Sequence, residues 1–237
     1  MIRTFVRLYA GCKKFLLAYT IYFIYLILHF LTGSVQGTDS LSVVQVQYIS
    51  VFNLFSASFV IVPLFLLTVE QSVRALNSLL FLLRQKSRLF WWINIVKTAC
   101  AESLFYTAAI NFPVILLFAY KNITGIAAEY FFLPDILLQT LYFTAVFLTA
   151  FIFANFLHPV GGFVISYAMI VWDYVNWLTD LGPMVFTSYV FPVSSDAALL
   201  LPPFRCWLMI GSITSALLFG GYLVAERANF LGGHKRV

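Results

Sequence analysis

Acid–base or metal chemistry on this chain would have to be built from few side chains. Histidines stand at His29, His158 and His234, cysteines at Cys12, Cys100 and Cys206, and carboxylates within apolar segments at Glu102 and Asp173. The histidines fall on three different predicted elements, with no carboxylate or cysteine at the spacing that brings two ligands to one metal. The cysteines are equally dispersed and read as small apolar fillers, without disulfide or metal spacing. Neither HExxH nor GxSxG occurs, which argues against a zinc or serine hydrolase, and GxxxxGK[ST] is missing, so any use of ATP belongs to another chain. The expectation is a chain with no catalytic residue, metal or cofactor of its own.

An ionised group inside a bilayer is costly, and each one is therefore a functional candidate. Glu102 lies about one turn into its apolar segment, within reach of snorkelling or of pairing with Lys97. Asp173 lies in VWDYVNW, residues 171–177, near the outer end of another segment, among the interfacial aromatics Trp172, Tyr174 and Trp177. It is either an interface residue, with Arg205 as a partner, or a site on a substrate pathway. Asn53, Ser56 and Ser58 place polar groups on a third segment, where they face a pathway or mediate helix packing. The pathway candidates are Asn53, Ser56 and Asp173. Pro63 and Pro113 each remove a backbone hydrogen bond within a span and can kink it. An ion-coupled carrier or intramembrane enzyme would need Glu102, Asp173 and His29 to converge, and their expected depths do not favour that.

These residues belong to a chain that is 62% apolar and 10% charged, where an ordinary soluble domain is about 25% charged. The expected class is an all-α integral membrane protein with a single transmembrane domain over residues 1–237. A span needs about 20 mainly apolar residues, and six segments qualify, at about 15–33, 47–69, 99–120, 134–157, 160–178 and 206–226. The fourth and fifth are separated by HPVGG, a Pro with two glycines that suits a tight helical hairpin. With the amino terminus inside, the cytoplasmic pieces hold 12 of the 14 lysines and arginines, leaving Lys121 and Arg205 outside. Six spans with both termini cytoplasmic satisfy the positive-inside rule. Ahead of the first span, Ile2, Phe5, Val6 and Tyr9 share one helical side and Arg3, Arg7 and Lys14 the other, as in an elbow helix lying in the headgroup plane or a simple basic anchor. Between the fifth and sixth spans, Asp180 to Pro203 is too apolar for water and too broken by proline to cross. A re-entrant pair of short helices fits, the second capped by Ser194, Ser195 and Asp196; a loop packed on the bundle is the alternative.

One cytoplasmic stretch stands apart: RQKSRLFWWINIVK, Arg84 to Lys97, at the end of a 28-residue connection that starts at Glu70. Its residues are helical in propensity, with no Gly or Pro from Ser72 to Pro113. The second span should therefore continue into the cytoplasm, turn near RQKS and return as a short helix with Arg84, Arg88, Trp91 and Ile95 on one stripe. A nucleic-acid patch of this size, held against a membrane, is a poor fit. Juxtamembrane cations in this number are enough to hold acidic lipid, and a soluble partner is the other reader of such a patch.

This order of parts resembles the permease subunits of type 2 ABC exporters, especially small bacterial permeases linked to peptide or bacteriocin export and self-immunity. The residues that carry the resemblance are the acidic Glu70 closing the second span, followed by Arg84, Ser87, Arg88, Trp91, Trp92 and Lys97. The resemblance implies a coupling helix, roughly Gln85 to Ile95, seated in a groove on an ATPase subunit. Arg84, Lys86, Ser87 and Arg88 would lie on that contact, and Trp91, Trp92 and Lys97 would carry movement to the third span. It implies partners: ABC ATPase subunits that bind ATP and magnesium, and a second permease subunit in a homodimer or heterodimer. It also implies a multi-pass bacterial cell-membrane protein that exports an amphipathic peptide or lipid-like substrate. The alternative is a membrane immunity or assembly factor that binds a cytoplasmic partner through the same element.

Overall fold

The computed structural model describes residues 13–32, 48–76, 87–120, 132–156, 159–182, 186–191 and 204–227. Of these, 94% are helical and none is in a strand. The helices are α1, Lys13–Thr32; α2, Tyr48–Leu76; α3, Arg88–Tyr120; α4, Phe132–Phe156; α5, Pro159–Thr179; and α6, Phe204–Arg227. Five of them, all but α5, are long and apolar enough to cross a membrane. α5 carries Gly161 and Gly162 in its first turn and Asp173 and Asn176 near its end. The elbow segment, the turn at Arg84 and Lys86, and the proposed second re-entrant helix lie outside the described residues.

α2 continues past the expected span end at 69 to Leu76, as the reading of an extended second helix has it, and α3 starts at Arg88, ahead of the expected span start at 99. No separate returning helix precedes the third span within the described residues; Trp91 and Trp92 belong to the same rod as Asn111. The reason is local. Ser87 is a good helix N-cap: its Oγ accepts the Phe90 N–H at 3.1 Å and its carbonyl the Trp91 N–H at 3.0 Å. After it, nothing interrupts the backbone until Pro113. At 33 residues α3 is about 50 Å long, well beyond a hydrocarbon core of about 30 Å.

α2 is not one regular helix. It breaks at Asn53, whose backbone is extended and whose side chain caps the next turn, accepting the Ser56 N–H at 2.8 Å. A π-helical turn, Ala57–Ile61, follows, and regular α-helix resumes over Val62–Leu76. Pro63 accounts for part of this, since it has no N–H to return to the turn before it.

Two thirds of the apolar window of α4 is buried (67%), against 17% for α1 and 22% for α6. α4 is thus the centre of the bundle, packed on α3, α5 and α6, while α1 lies on the outside against α2 and α3. The α4–α5 crossing is close because Gly162 lies on the backbone of Ala150 and Ala154, the small-residue geometry by which helices approach in lipid. α5 opens on Pro159, three residues after α4 ends at Phe156, a spacing short enough for a tight hairpin. Beyond α5, Asp180 adopts a left-handed φ of 52° and donates its N–H to the Asn176 carbonyl at 2.8 Å, a helix-ending turn. The chain then re-enters the interior: Phe186 packs tilted against Tyr142 and Phe191 meets it edge-on, with centroids 4.8 and 5.4 Å apart. Of the Asp180–Pro203 segment, residues 186–191 are therefore a plug packed within the bundle.

Cations collect at one end. Lys14 and Arg74 both reach Glu70, and Arg88 donates to the backbone carbonyl of Glu226, which joins the starts of α1 and α3 to the ends of α2 and α6. This is hereafter the basic end. Arg205 is at the start of α6, the opposite end.

Candidate functional site

The basic end is built around Trp91 and Trp92. Both are buried, at 4% and 5% exposure, in a helix turn whose other sides, Leu89, Phe90 and Ile93, are exposed. Trp91 meets Phe151 of α4 with ring centroids 5.8 Å apart. Trp92 fills the space over Gly221 of α6, where a β-carbon would collide with its indole. Ile95 and Ala99 continue the buried stripe at helical spacing. The two tryptophans lock α3 into α4 and α6. Arg88, one turn earlier, points to the last turn of α6, where a cation complements the helix carbonyls. Ser87 caps α3, and Lys97 is exposed on its outer side. Arg84 and Lys86 lie outside the described residues.

A second feature is a polar seam on the buried faces of α2 and α3. Glu102, Ser103, Thr107 and Asn111 are all buried, the last three spaced by four residues and so on one face. Elsewhere in the bundle, Thr140, Thr144, Thr149, Ser166 and Thr214 turn their hydroxyls back to the carbonyl four residues earlier. Ser103 Oγ, Thr107 Oγ1 and Ser58 Oγ are buried and have no hydrogen-bond partner among the described residues. Buried polar atoms are usually satisfied, so these three mark where a small polar guest would gain a contact.

The other pathway candidates are engaged in holding the fold. Asn53 caps α2's restart and donates Nδ2 to the Ser50 carbonyl at 2.7 Å. The Ser56 and Tyr25 hydroxyls share a hydrogen bond at 2.5 Å, linking α2 to α1. Asp173 Oδ2 accepts three backbone N–H groups, from Phe186 at 2.7 Å, Thr187 at 2.5 Å and Ser188 at 3.2 Å. This caps the 3₁₀ turn Thr187–Tyr189 and fixes the plug, while Trp172 and Trp177 face outward as the aromatic belt reading expects. His29 is bonded to Ser50 Oγ at 2.9 Å, so His29, Glu102 and Asp173 each lie in a different setting on α1, α3 and α5. Among the described residues no group of three or more His, Cys, Asp or Glu is placed to hold a metal ion.

Sequence reasoning missed Gly221 and Phe151 as the seats of the tryptophans, the 103–107–111 seam, and Asp135, a third carboxylate inside an apolar helix. The seam had a signal, three polar residues at helical spacing in an apolar helix. Asp135 had none, because its position at the start of a span reads equally well as the polar edge of a loop.

No protein-family model, no curated protein and no solved structure matches this chain.

Proposed function

We propose that this chain is the membrane-spanning subunit of an ATP-driven ABC exporter, with its ATP-hydrolysing domains on a separate polypeptide. The observation that carries the reading is the seating of Trp91 and Trp92 in α4 and α6. A push on the basic end of α3 reaches three helices at once, through rigid aromatic contacts that have no slack. In the resembling permeases an ATPase supplies such a push on the connection before the third span. The basic end would then face the cytoplasm, with α5 crossing as the fifth of six spans and Arg84, Lys86 and Arg88 nearest the ATPase. The polar seam of Ser58, Ser103 and Thr107 is the part of the interior suited to the polar portion of an amphipathic peptide or lipid-like substrate.

The test separates docking from transmission. Co-purification from native membranes should recover an ABC ATPase whose hydrolysis responds to substrate. Arg84→Glu with Lys86→Glu should abolish that association in a chain that still inserts. Trp92→Ala should leave association intact and lower substrate-stimulated hydrolysis by roughly tenfold or more. Membranes that yield no ATPase, or a charge-reversed chain that still holds one, would overturn the assignment.

A further inference from the structure

At the end of the bundle opposite the cations, four polar side chains from three helices meet inside an apolar surround. Tyr48 Oη of α2 is 2.8 Å from Asn111 Oδ1 of α3 and 2.8 Å from Asp135 Oδ2 of α4. Gln139, one turn after Asp135, places Nε2 at 2.7 Å from Asp135 Oδ2 and 3.2 Å from Tyr48 Oη. Asn111 Nδ2 donates to the Thr107 carbonyl and to Gln139 Oε1, each at 2.9 Å. Tyr48, Asn111 and Gln139 are buried to 3% exposure or less.

The protons in this cluster can be counted. A tyrosine hydroxyl has one hydrogen, an amide nitrogen two, and an ionised carboxylate none. Tyr48 Oη is in contact with two oxygens, and its one hydrogen can satisfy only one of them fully. Asn111 cannot be reversed alone, because its oxygen would then face both Gln139 Oε1 and the Thr107 carbonyl. Gln139 cannot be reversed alone, because two NH₂ groups would then face each other. Reversing both puts the Gln139 oxygen 2.7 Å from the Asp135 oxygen, again with no hydrogen between them unless Asp135 supplies one. With Asp135 ionised, the two oxygens share the one Tyr48 hydrogen in a weaker three-centre bond, whereas a hydrogen on Asp135 gives each contact its own. In that arrangement, Asp135 Oδ2–H donates to Tyr48, Tyr48 donates to Asn111, and Gln139 donates to Asp135.

We infer that Asp135 is a proton-binding site, and that its neutral acid is the latch joining the Tyr48 end of α2, α3 and the start of α4. Loss of the proton leaves Asn111 Oδ1 and Asp135 Oδ2 competing for one hydroxyl, with a charge added inside the bundle, and loosens that junction. Among the described residues the groups around it offer no substitute charge. Tyr48 faces it from α2, with Tyr22 of α1 behind Tyr48, and Asn111 and Thr107 face it from α3. On α5, Asp173 is held by the amides of residues 186–188. At the α6 end of the bundle, Arg205 is exposed and interacts with Cys206. Among the described residues Asp135 has no cationic partner.

The latch exists only while Asp135 carries its hydrogen, so its contribution is present in acid and is lost as pH rises. Infrared spectra of the full chain in lipid nanodiscs at mildly acidic pH should show a protonated-carboxyl band that is absent from Asp135→Asn and shifted in Tyr48→Phe, which has lost the acceptor. Thermal unfolding of the wild type should weaken from mildly acidic to alkaline pH, with a shallower slope in Asp135→Asn. If Asp135→Asn does not fold, the band shift in Tyr48→Phe decides alone. Wild-type and Tyr48→Phe spectra with the same carboxyl band, or a wild type that gains stability over that pH range, would overturn the proposal.

Discussion

At the scale of single residues, two glycines in the same helix separate space from propensity. Gly211 and Gly221 both lie in α6, but a β-carbon at Gly211 meets nothing within 4 Å, while one at Gly221 enters the Trp92 indole. Glycine is a weaker helix former than alanine by about 1 kcal/mol, so Gly211→Ala should be neutral or slightly stabilising. Gly221→Ala should destabilise by about 1–3 kcal/mol, the usual range for overpacking, since neither the ring nor the helix can move aside freely. The mechanism can be isolated with Trp92→Leu, whose smaller side chain leaves room for the added methyl. Thermal unfolding of the two single variants and the double should show strong coupling, the double costing clearly less than the sum. Additive losses would mean that Gly221 matters for some reason other than Trp92. The glycine was visible in the sequence as part of a Gly220–Gly221 pair; which of the two faces a ring was not, because that depends on where α3 begins.

At the scale of elements, the irregular α2 shows how a broken helix is tolerated in an apolar setting. Backbone groups freed by a break have no water to turn to inside a bilayer, so other groups of the protein must take them up. Here a tyrosine and an asparagine do so. Tyr106 donates to the Ile61 carbonyl, at the end of the π-turn, at 2.5 Å, and Asn53 closes the break before it. Tyr22 of α1 also donates to a backbone carbonyl, that of Ile110 in α3, at 2.8 Å. Pro63 and Pro113 were legible as kink sites; the π-turn and its repairs were not, since Tyr106 and Ile61 are distant in sequence. Tyr106→Phe keeps the ring, which packs on Phe65 and Phe143 with centroids 5.0 and 5.1 Å away, and removes only the hydroxyl. An unsatisfied buried carbonyl costs about 1–3 kcal/mol, so the variant should unfold at lower temperature, whereas Tyr167→Phe, on a half-buried site of α5, should change little. Equal stability of Tyr106→Phe and wild type would show that the Ile61 carbonyl is satisfied within α2.

At the scale of the molecule, composition and hydrophobic run length were enough to read an all-helical chain with several membrane-length segments, and the uneven lysine and arginine count foreshadowed the basic end. The roles of individual residues followed less well. Arg88, Trp91 and Trp92 read as parts of one coupling element, but their partners Glu226, Phe151 and Gly221 come from helices far along the chain, and one-dimensional spacing carries no sign of them. A related question is what keeps α1 in place. Most of its surface is exposed apolar side chain, including Leu16, Leu17, Ile24, Leu28 and Leu31. Lipid tails are as apolar as leucine, so apolar contact alone gives α1 little reason to stay with the bundle. It is held by polar rungs from end to end: Lys14 to Glu70, Tyr22 to the Ile110 carbonyl, Tyr25 to Ser56 and His29 to Ser50. Interhelical hydrogen bonds in lipid contribute about 0.6 kcal/mol each, and a partly exposed ion pair about 0–1 kcal/mol. One rung lost should hardly register, while Tyr22→Phe, Tyr25→Phe and Glu70→Gln together should shift the docking equilibrium on the order of tenfold. Ala18 of α1 and Thr68 of α2 line the same small crevice, so cysteines at those two positions offer a readout by disulfide trapping. The trapping yield should fall steeply in the triple variant and only slightly in each single one. A triple variant that still traps as fast as the parent would mean that side-chain packing, and not the polar rungs, holds α1 to the bundle.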